Sequence, residues 1–181
     1  MGTTSVFPLY RLLQHRETNW ADRRFENVLG SQSYDVRVRH STEEYSFIEI
    51  TLADRDFSEV QRMRYFETHG SVSAIGQVTS TGSKRMGFQI EIEHEAQLLS
   101  VLVAEKAKKI EEAISRKCAF DYQARTSLLI YFDDHIAFSE PEGDLAISKL
   151  LKSVDLLWRS RFDALFIVGA SGKRIWSANK S

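Results

Sequence analysis

Two alternating segments decide how the fold is interpreted: YDVRVRH at residues 34–40 and YSFIEITLA at residues 45–53. Alternation of apolar and polar side chains is typical of a half-buried strand, so each segment is predicted to form one. Residues 41–44 between them are few and polar, as in a turn. We therefore expect an antiparallel hairpin, because parallel pairing needs a much longer connection.

The alternation also assigns the side chains of this hairpin to two faces, because successive residues of a strand point to opposite sides. One face is predicted to meet the core, and the other carries charge. The predicted core face holds Tyr34, Val36, Val38, Ile48, Ile50 and Leu52, and the opposite face holds Asp35, Arg37, Arg39, Phe47, Glu49 and Thr51. If the strands pair in this way, Asp35 lies on the same face as Glu49 and Thr51.

The rest of the chain predicts a mixed sheet flanked by helices, in the α/β or α+β class. A meander of three strands is expected first, and a strand-helix-strand crossover follows it. The whole chain, residues 1–181, is interpreted as one domain, with residues 54–87 as a candidate insertion or lid. The predicted elements are helices over 19–29, 57–68, 95–119 and 144–158, strands over 88–93, 127–132, 163–169 and 174–177, and a mobile loop over 70–87.

Composition excludes several classes of protein. The 181 residues carry 24 Lys and Arg against 25 Asp and Glu, a formal charge of −1, so the chain is no bulk polycation. Its single cysteine, Cys118, excludes a disulfide framework and a multi-cysteine zinc site. No apolar run is long enough for a membrane-spanning helix. We expect a soluble cytoplasmic protein without a membrane partner; the oligomeric state stays open, and a homodimer is compatible with the sequence.

Asp35 and Glu49 are the candidate metal ligands. Two carboxylates that converge from neighbouring strands suit a hard cation such as Mg²⁺, which prefers oxygen ligands and keeps several waters. Such an ion can activate water and stabilise charge on a phosphate undergoing hydrolysis. The alternative is a solvated strand face on which Asp35 pairs with Arg37 or Arg39. The segment 91–93, Glu-Ile-Glu, is a rival acidic pair.

The order of these elements resembles the PD-(D/E)XK nuclease superfamily, whose fold is that of restriction endonucleases. The resemblance rests on Tyr34-Asp35-Val36, Ile48-Glu49-Ile50-Thr51, the long helix and Leu128-Leu129-Ile130-Tyr131, and it covers about residues 19–169. It implies a nuclease that binds nucleic acid and uses Mg²⁺ or Mn²⁺. The metal ligands it implies are Asp35 and Glu49, with Glu26 as a third from the first helix.

The chain departs from the family pattern at position 51, where Thr51 stands in place of the lysine that positions or activates the attacking water. Lys117 is a candidate substitute, because it follows Ile114 by three residues on the apolar stripe of the long helix. The alternative is that the stem of Lys117 packs on the core and its ammonium reaches water. Either Lys117 or Thr51 would orient the water.

A catalytically inactive protein of the same fold, acting as a structural or protein-interaction module, is the main alternative function. A third reading is an unrelated α+β domain whose charged strand face binds a protein partner. Arginine favours an anionic partner, since its guanidinium matches phosphate, although a solvated surface also explains the pattern. The basic residues concerned are Arg11, Arg16, Arg23, Arg24, Arg37, Arg39, Arg55, Arg62, Arg64, Lys84 and Arg85.

Two further motifs favour structural interpretations. Residues 169–173, Gly-Ala-Ser-Gly-Lys, have too few residues between the glycines for a phosphate-binding loop and predict a turn after a strand. Residues 133–135, Asp-Asp-His, can ligate a metal, but they are better explained as a cap at the end of a strand.

Overall fold

The structure is a computed structural model that describes residues 6–14, 20, 22–30, 32–42, 44–53, 58–72, 78–83, 87–92, 98–134 and 141–180. Two compact units divide the chain: Met1–Asp54 with Val103–Ser181, and Arg55–Leu102. The elements found in the described residues are α1 (Val6–Gln14), β1 (Arg24–Asn27), β2 (Val36–Arg39), β3 (Tyr45–Leu52), α2 (Ser58–His69), β4 (Val78–Ser83), β5 (Gly87–Ile92), α3 (Leu99–Cys118), β6 (Thr126–Phe132), α4 (Glu142–Ser153), α5 (Asp155–Arg159), β7 (Ala164–Gly169) and β8 (Ile175–Asn179).

The first unit contains a six-stranded mixed sheet in the order β1-β2-β3-β6-β7-β8. β3, β6 and β7 are parallel, and the outer pairs are antiparallel. The predicted class, a mixed sheet with helices, is therefore confirmed. β6 lies in the centre of the sheet, and its run of apolar residues is explained by burial on both faces. Within the described part of the chain, no helix combines the length and apolarity needed to cross a membrane.

The predicted hairpin is confirmed: β2 pairs antiparallel with β3, with Val36 opposite Ile48 and Arg37 opposite Phe47. Directly opposite residues share a face, so Phe47 lies on the side of Arg37. Tyr34 departs from the predicted alternation, because its ring packs on Phe47 at a centroid distance of 4.6 Å. It precedes the paired part of β2, where the chain is not held to the alternation of the strand.

Each face of the sheet meets a helix. On one face, α1 buries Leu9 and Leu12 in a cluster with residues of four strands, namely Val36, Val38, Ile48, Leu129, Ala164, Phe166 and Val168. On the other face, α3 reaches β3, where the Arg116 guanidinium donates to the Leu52 carbonyl at 3.4 Å. β3 is therefore enclosed on both sides around Glu49, its one charged residue, which is why that carboxylate needs a partner within the protein.

The predicted helix over 19–29 is wrong, since residues 24–27 form β1, an edge strand paired with β2. The spacing of the apolar residues misled the prediction: Leu29 is 79% exposed and does not extend a buried stripe. Phe25 instead lies opposite Val38 and packs on Trp20 at 5.4 Å. Pairing with β2 satisfies the backbone groups on one side of this short edge strand. Residues 6–14, for which no element is predicted, form α1.

The second unit contains α2 and a two-stranded sheet. The predicted helix over 57–68 is confirmed as α2, although Phe57 lies outside the described residues. The predicted loop over 70–87 is wrong in part, because β4 pairs antiparallel with β5. β5 confirms the third predicted strand but not the meander, since β3 pairs with β6 instead. The glycines and serines of this segment concealed a hairpin that carries β-branched residues such as Val78 and Thr79.

The later predictions hold with one correction. α3, β6, β7 and β8 form as predicted, and β8 pairs back on β7. The helix predicted over 144–158 is two helices, α4 and α5, separated at Val154. At this point the Leu150 carbonyl accepts both the Ser153 hydroxyl at 2.9 Å and the Val154 backbone N–H at 3.1 Å.

The turn between β7 and β8 is anchored by Asp134, which is only 5% exposed. Its Oδ1 accepts the Ser171 backbone N–H at 2.7 Å, and its Oδ2 accepts the Ser171 hydroxyl at 2.6 Å. Asp134 therefore ties the end of β6 to the turn, as a cap does; His135 lies outside the described residues. A Cβ at Gly169 would overlap the Asp134 carboxylate.

Gly169→Ala is expected to lower the free energy of unfolding by about 2 kcal/mol, because the added methyl group has no space beside Asp134. Urea unfolding of the single variants and of Gly169→Ala/Asp134→Ala tests the cause. The double variant should be no less stable than Asp134→Ala alone, since the obstructing carboxylate is gone. Additive losses would show that the contact with Asp134 is not the reason for glycine at this position.

Candidate active site

Glu49 is a buried carboxylate in the middle of the sheet. It lies in β3 beside Leu128 of β6, and the residue is 8% exposed. Thr51, two residues along the same face, is 2% exposed. Removing a carboxylate from water is costly unless a partner compensates its charge, so the surroundings of Glu49 decide what it can do.

Lys117 supplies that partner from α3. Its Nζ donates a hydrogen bond to Glu49 Oε1, and the two groups form an ion pair. The side chains are 16% and 10% exposed, respectively. The ammonium therefore points into the protein, and the alternative in which it projects into water does not apply. The buried Ile110 and Ile114 on the same helix hold Lys117 in this orientation.

Asp35 approaches the same part of β3 from the end of β2. Its backbone N–H donates to the Ile48 carbonyl at 3.0 Å, and its Oδ2 accepts the Ile50 N–H at 2.8 Å. Asp35 thus bonds to the backbone on either side of Glu49, through its own backbone at Ile48 and through its carboxylate at Ile50. Its partner is not Arg37, which pairs with Glu26.

Tyr122 lies near enough to the two acids for their charges to act on it, and no sequence pattern pointed to it. Burial raises the pKa of the Tyr122 phenol above its ordinary value, and the neighbouring Glu49, Cys118 and Asp35 raise it further. Its ring packs on Phe162 at a centroid distance of 4.7 Å. The phenol therefore stays protonated and can donate a hydrogen bond beside the two carboxylates. No spacing motif links it to them, because it follows α3 in an irregular segment.

Glu26 lies on β1 rather than on a helix, directly opposite Arg37. Its Oε2 accepts hydrogen bonds from two nitrogens of that guanidinium, each at 2.9 Å. The structure therefore holds this carboxylate on Arg37, whereas Asp35 and Glu49 meet at β3. Among the residues that the structure describes, no group of three His, Cys, Asp or Glu side chains is placed to hold a metal ion.

The remaining candidates lie elsewhere or contribute differently. Glu91 of the rival acidic pair belongs to β5 in the second unit, and Glu93 lies outside the described residues. Thr51 shares the face of Glu49 and is buried on β3, beside Ile130 of β6. A buried hydroxyl at this position lacks the positive charge that Lys117 brings.

Asp35 and Glu49 fit a divalent cation that keeps several waters. Oδ1 of Asp35 accepts no hydrogen bond from the described residues, so it can offer a lone pair to a metal. Mg²⁺ is commonly bound by one or two carboxylates and completes its octahedron with water. Glu49 would then divide its charge between the metal and Lys117.

Comparisons of the chain with protein-family models, with curated proteins and with solved structures found no match. The function is therefore inferred from the geometry of the site. Four groups define that geometry: two carboxylates, one ammonium and one neutral phenol. They come from the residue just before β2, from β3, from the end of α3 and from the segment after it.

Lys117→Met is expected to lower the free energy of unfolding by about 3 kcal/mol or more, because Glu49 would remain buried without its cation. Chemical denaturation of the wild type and the variant measures the loss. The double variant Lys117→Met/Glu49→Leu removes both charges and should recover much of the stability.

Glu44→Gln is the matched control, since it breaks the ion pair of Glu44 with Arg125, whose side chains are 58% and 53% exposed. That change should cost less than about 1 kcal/mol, because exposed pairs are screened by water. Equal losses at Lys117 and Glu44 would mean that the Lys117–Glu49 pair is not the buried pair described above.

The raised pKa of Tyr122 gives an alkaline dependence of stability. Above about pH 10 an unfolded tyrosine loses its proton while the folded phenol keeps it, so the free energy of unfolding falls as pH rises. Tyr122→Phe should show a smaller fall between about pH 9 and about pH 11. Denaturation at a series of pH values measures both slopes; identical slopes would contradict the placement of Tyr122.

Proposed function

We propose that the chain is a metal-dependent phosphodiester hydrolase that acts on nucleic acid and has a restriction-endonuclease-like fold. One observation carries the proposal: Lys117 of α3 contacts Glu49 next to Asp35. The resemblance requires a lysine beside these two acids, and position 51 holds threonine. The ammonium is supplied instead by Lys117 of α3, which is a different element from the strand that carries position 51.

Each group has a distinct part in the proposed reaction. Asp35 and Glu49 would hold Mg²⁺ or Mn²⁺, which when bound acts as a Lewis acid on the phosphate and lowers the pKa of a bound water. Lys117 would orient the attacking water and stabilise negative charge that develops on the phosphoryl oxygens. Burial strengthens this interaction, because the ammonium acts in a medium of lower dielectric constant than water.

Tyr122 is a candidate donor to the same oxygens. Its raised pKa keeps the phenol neutral, so it can donate without adding a negative charge beside the carboxylates. Thr51 remains the other candidate for orienting the water, through its hydroxyl. Glu26 is the third candidate metal ligand only if its carboxylate leaves Arg37.

A second function is favoured by a different aspect of the same geometry. The Lys117–Glu49 pair and the bond from Ile50 to Asp35 satisfy these groups within the protein. Such a network can hold α3 on the sheet without any reaction. This arrangement favours the alternative, an inactive protein of this fold that acts as a structural or protein-interaction module.

Cleavage assays distinguish the two functions. Purified protein is incubated with supercoiled plasmid, single-stranded DNA or RNA in Mg²⁺, Mn²⁺ or EDTA. The proposal predicts metal-dependent cleavage that falls about 100-fold or more in Asp35→Asn and Glu49→Gln, because each change removes a charged metal ligand. Lys117→Arg keeps the charge of Lys117 but changes the position of the donor, and it should also lower the rate.

Glu44→Gln serves as the control, since it changes a carboxylate outside the candidate site. Its cleavage rate should equal that of the wild type. Cleavage that persists in Asp35→Asn and Glu49→Gln would assign the activity to another site or to a contaminant. No cleavage of any substrate by folded protein, with either metal, would favour the inactive alternative.

A further inference from the structure

A row of basic and aromatic side chains crosses the outer strands next to the candidate active site. Arg24 of β1 lies opposite Arg39 of β2, and Arg39 lies opposite Tyr45 of β3. Opposite residues of antiparallel strands share a face, so these three side chains form one row. Tyr45 precedes Glu49 by four residues on the same strand face, a distance of about 13 Å along β3.

The ring of Tyr45 is held by its neighbours. The Arg37 guanidinium lies over it, with Cζ 5.4 Å from the ring centroid. Arg37 is in turn fixed by Glu26, which accepts from two of its nitrogens at 2.9 Å. A cation over one face of an aromatic ring is attractive and restricts the ring. Glu26 and Arg37 therefore act as a support for Tyr45.

This end of the sheet face is open to solvent, in contrast to the face beneath it. Tyr45 is 39% exposed and Arg24 is also exposed, whereas Arg39, which lies between them, is half-buried. Val36 and Val38, whose side chains point to the opposite face, are completely buried. Between Tyr45 and Glu49 along the strand lies Phe47, which packs on Tyr34. Aromatic residues therefore lie between this open surface and the buried Glu49.

We propose that this surface, defined by Arg24, Arg39 and Tyr45, binds single-stranded nucleic acid and guides it to Asp35 and Glu49. The choice of ligand rests on the proposed function. Arginine forks bind phosphate oxygens, which accounts for the two guanidinium groups in the row. A base would stack on the exposed side of the Tyr45 ring, because any base offers an aromatic face.

An unpaired strand fits this surface better than a duplex does. In a duplex the bases are already stacked inside the helix, so a protein at its surface meets phosphates and base edges. An aromatic ring on an open sheet gains energy only from bases that can be splayed out, as in single strands and loops. A ligand that presents only phosphates would gain no stacking energy from the ring of Tyr45.

Fluorescence anisotropy with labelled oligothymidylate and with a duplex of the same length tests the inference. Binding is measured in EDTA, so that cleavage does not interfere and no metal is needed. We expect the single strand to bind more tightly than the duplex. Tyr45→Ala should weaken single-strand binding about tenfold or more, and Tyr45→Phe should retain it, because stacking needs the ring and not the hydroxyl.

The double variant Arg24→Ala/Arg39→Ala tests the phosphate contacts. For a single strand, it should reduce the slope of log affinity against log salt by about 1.4, since each lost phosphate contact contributes about 0.7. Its matched control is Lys149→Ala/Lys152→Ala, which removes the same charge from exposed positions on α4. The control should leave most of the affinity and slope unchanged.

Different outcomes overturn the inference and the proposed function. Tighter binding of the duplex, wild-type binding by Tyr45→Ala, or equal losses in the arginine and lysine double variants would each overturn the inference. Metal-dependent cleavage that needs Asp35 and Glu49 would still stand in those cases. Conversely, single-strand binding that depends on Tyr45, without cleavage of any substrate, would support the surface and reject the hydrolase.

Discussion

The ion pair between Lys117 and Glu49 is the interaction on which the site depends. It joins an ammonium group on α3 to a buried carboxylate on β3, near the centre of the sheet. A buried carboxylate without a partner would be destabilising, and so would a buried ammonium. Each charge compensates the cost of burying the other, and the pair fixes the end of α3 on β3. The buried residues Ile110 and Ile114 contribute the apolar part of the same contact.

The register of the hairpin determines what else lies near this pair. Because β2 and β3 are antiparallel, the end of β2 at Asp35 meets β3 beside Glu49, whereas its other end brings Arg39 opposite Tyr45. One face of β2 and β3 thus carries the two acids at one end and, at the other, the half-buried Arg39 beside the exposed Tyr45. If the surface binds nucleic acid as proposed, the arginines would attract its phosphates at the end of this face that lies away from the acids.

Local pattern predicted much of the hairpin and the central strands, since alternation is a property of neighbouring residues. It also identified Asp35, Glu49 and Lys117 as candidates. It failed at residues 24–27, where one apolar residue in a short edge strand fits a helical spacing equally well. It also failed to anticipate β4, where small polar residues form a ladder with β5. In both segments the pairing partner, not the composition, decides the structure.

The sequence by itself determined the mixed class of the fold, the β2–β3 hairpin and the shared face of Glu49 and Thr51, because the period of two ties side-chain direction to position along a strand. Only the tertiary structure decided that Lys117 points inward to Glu49, that Arg37 holds Glu26, and that Tyr122 joins the acids. These contacts join residues that are far apart in the chain. They depend on how the helices and strands pack, and the spacing of neighbouring residues does not determine that packing.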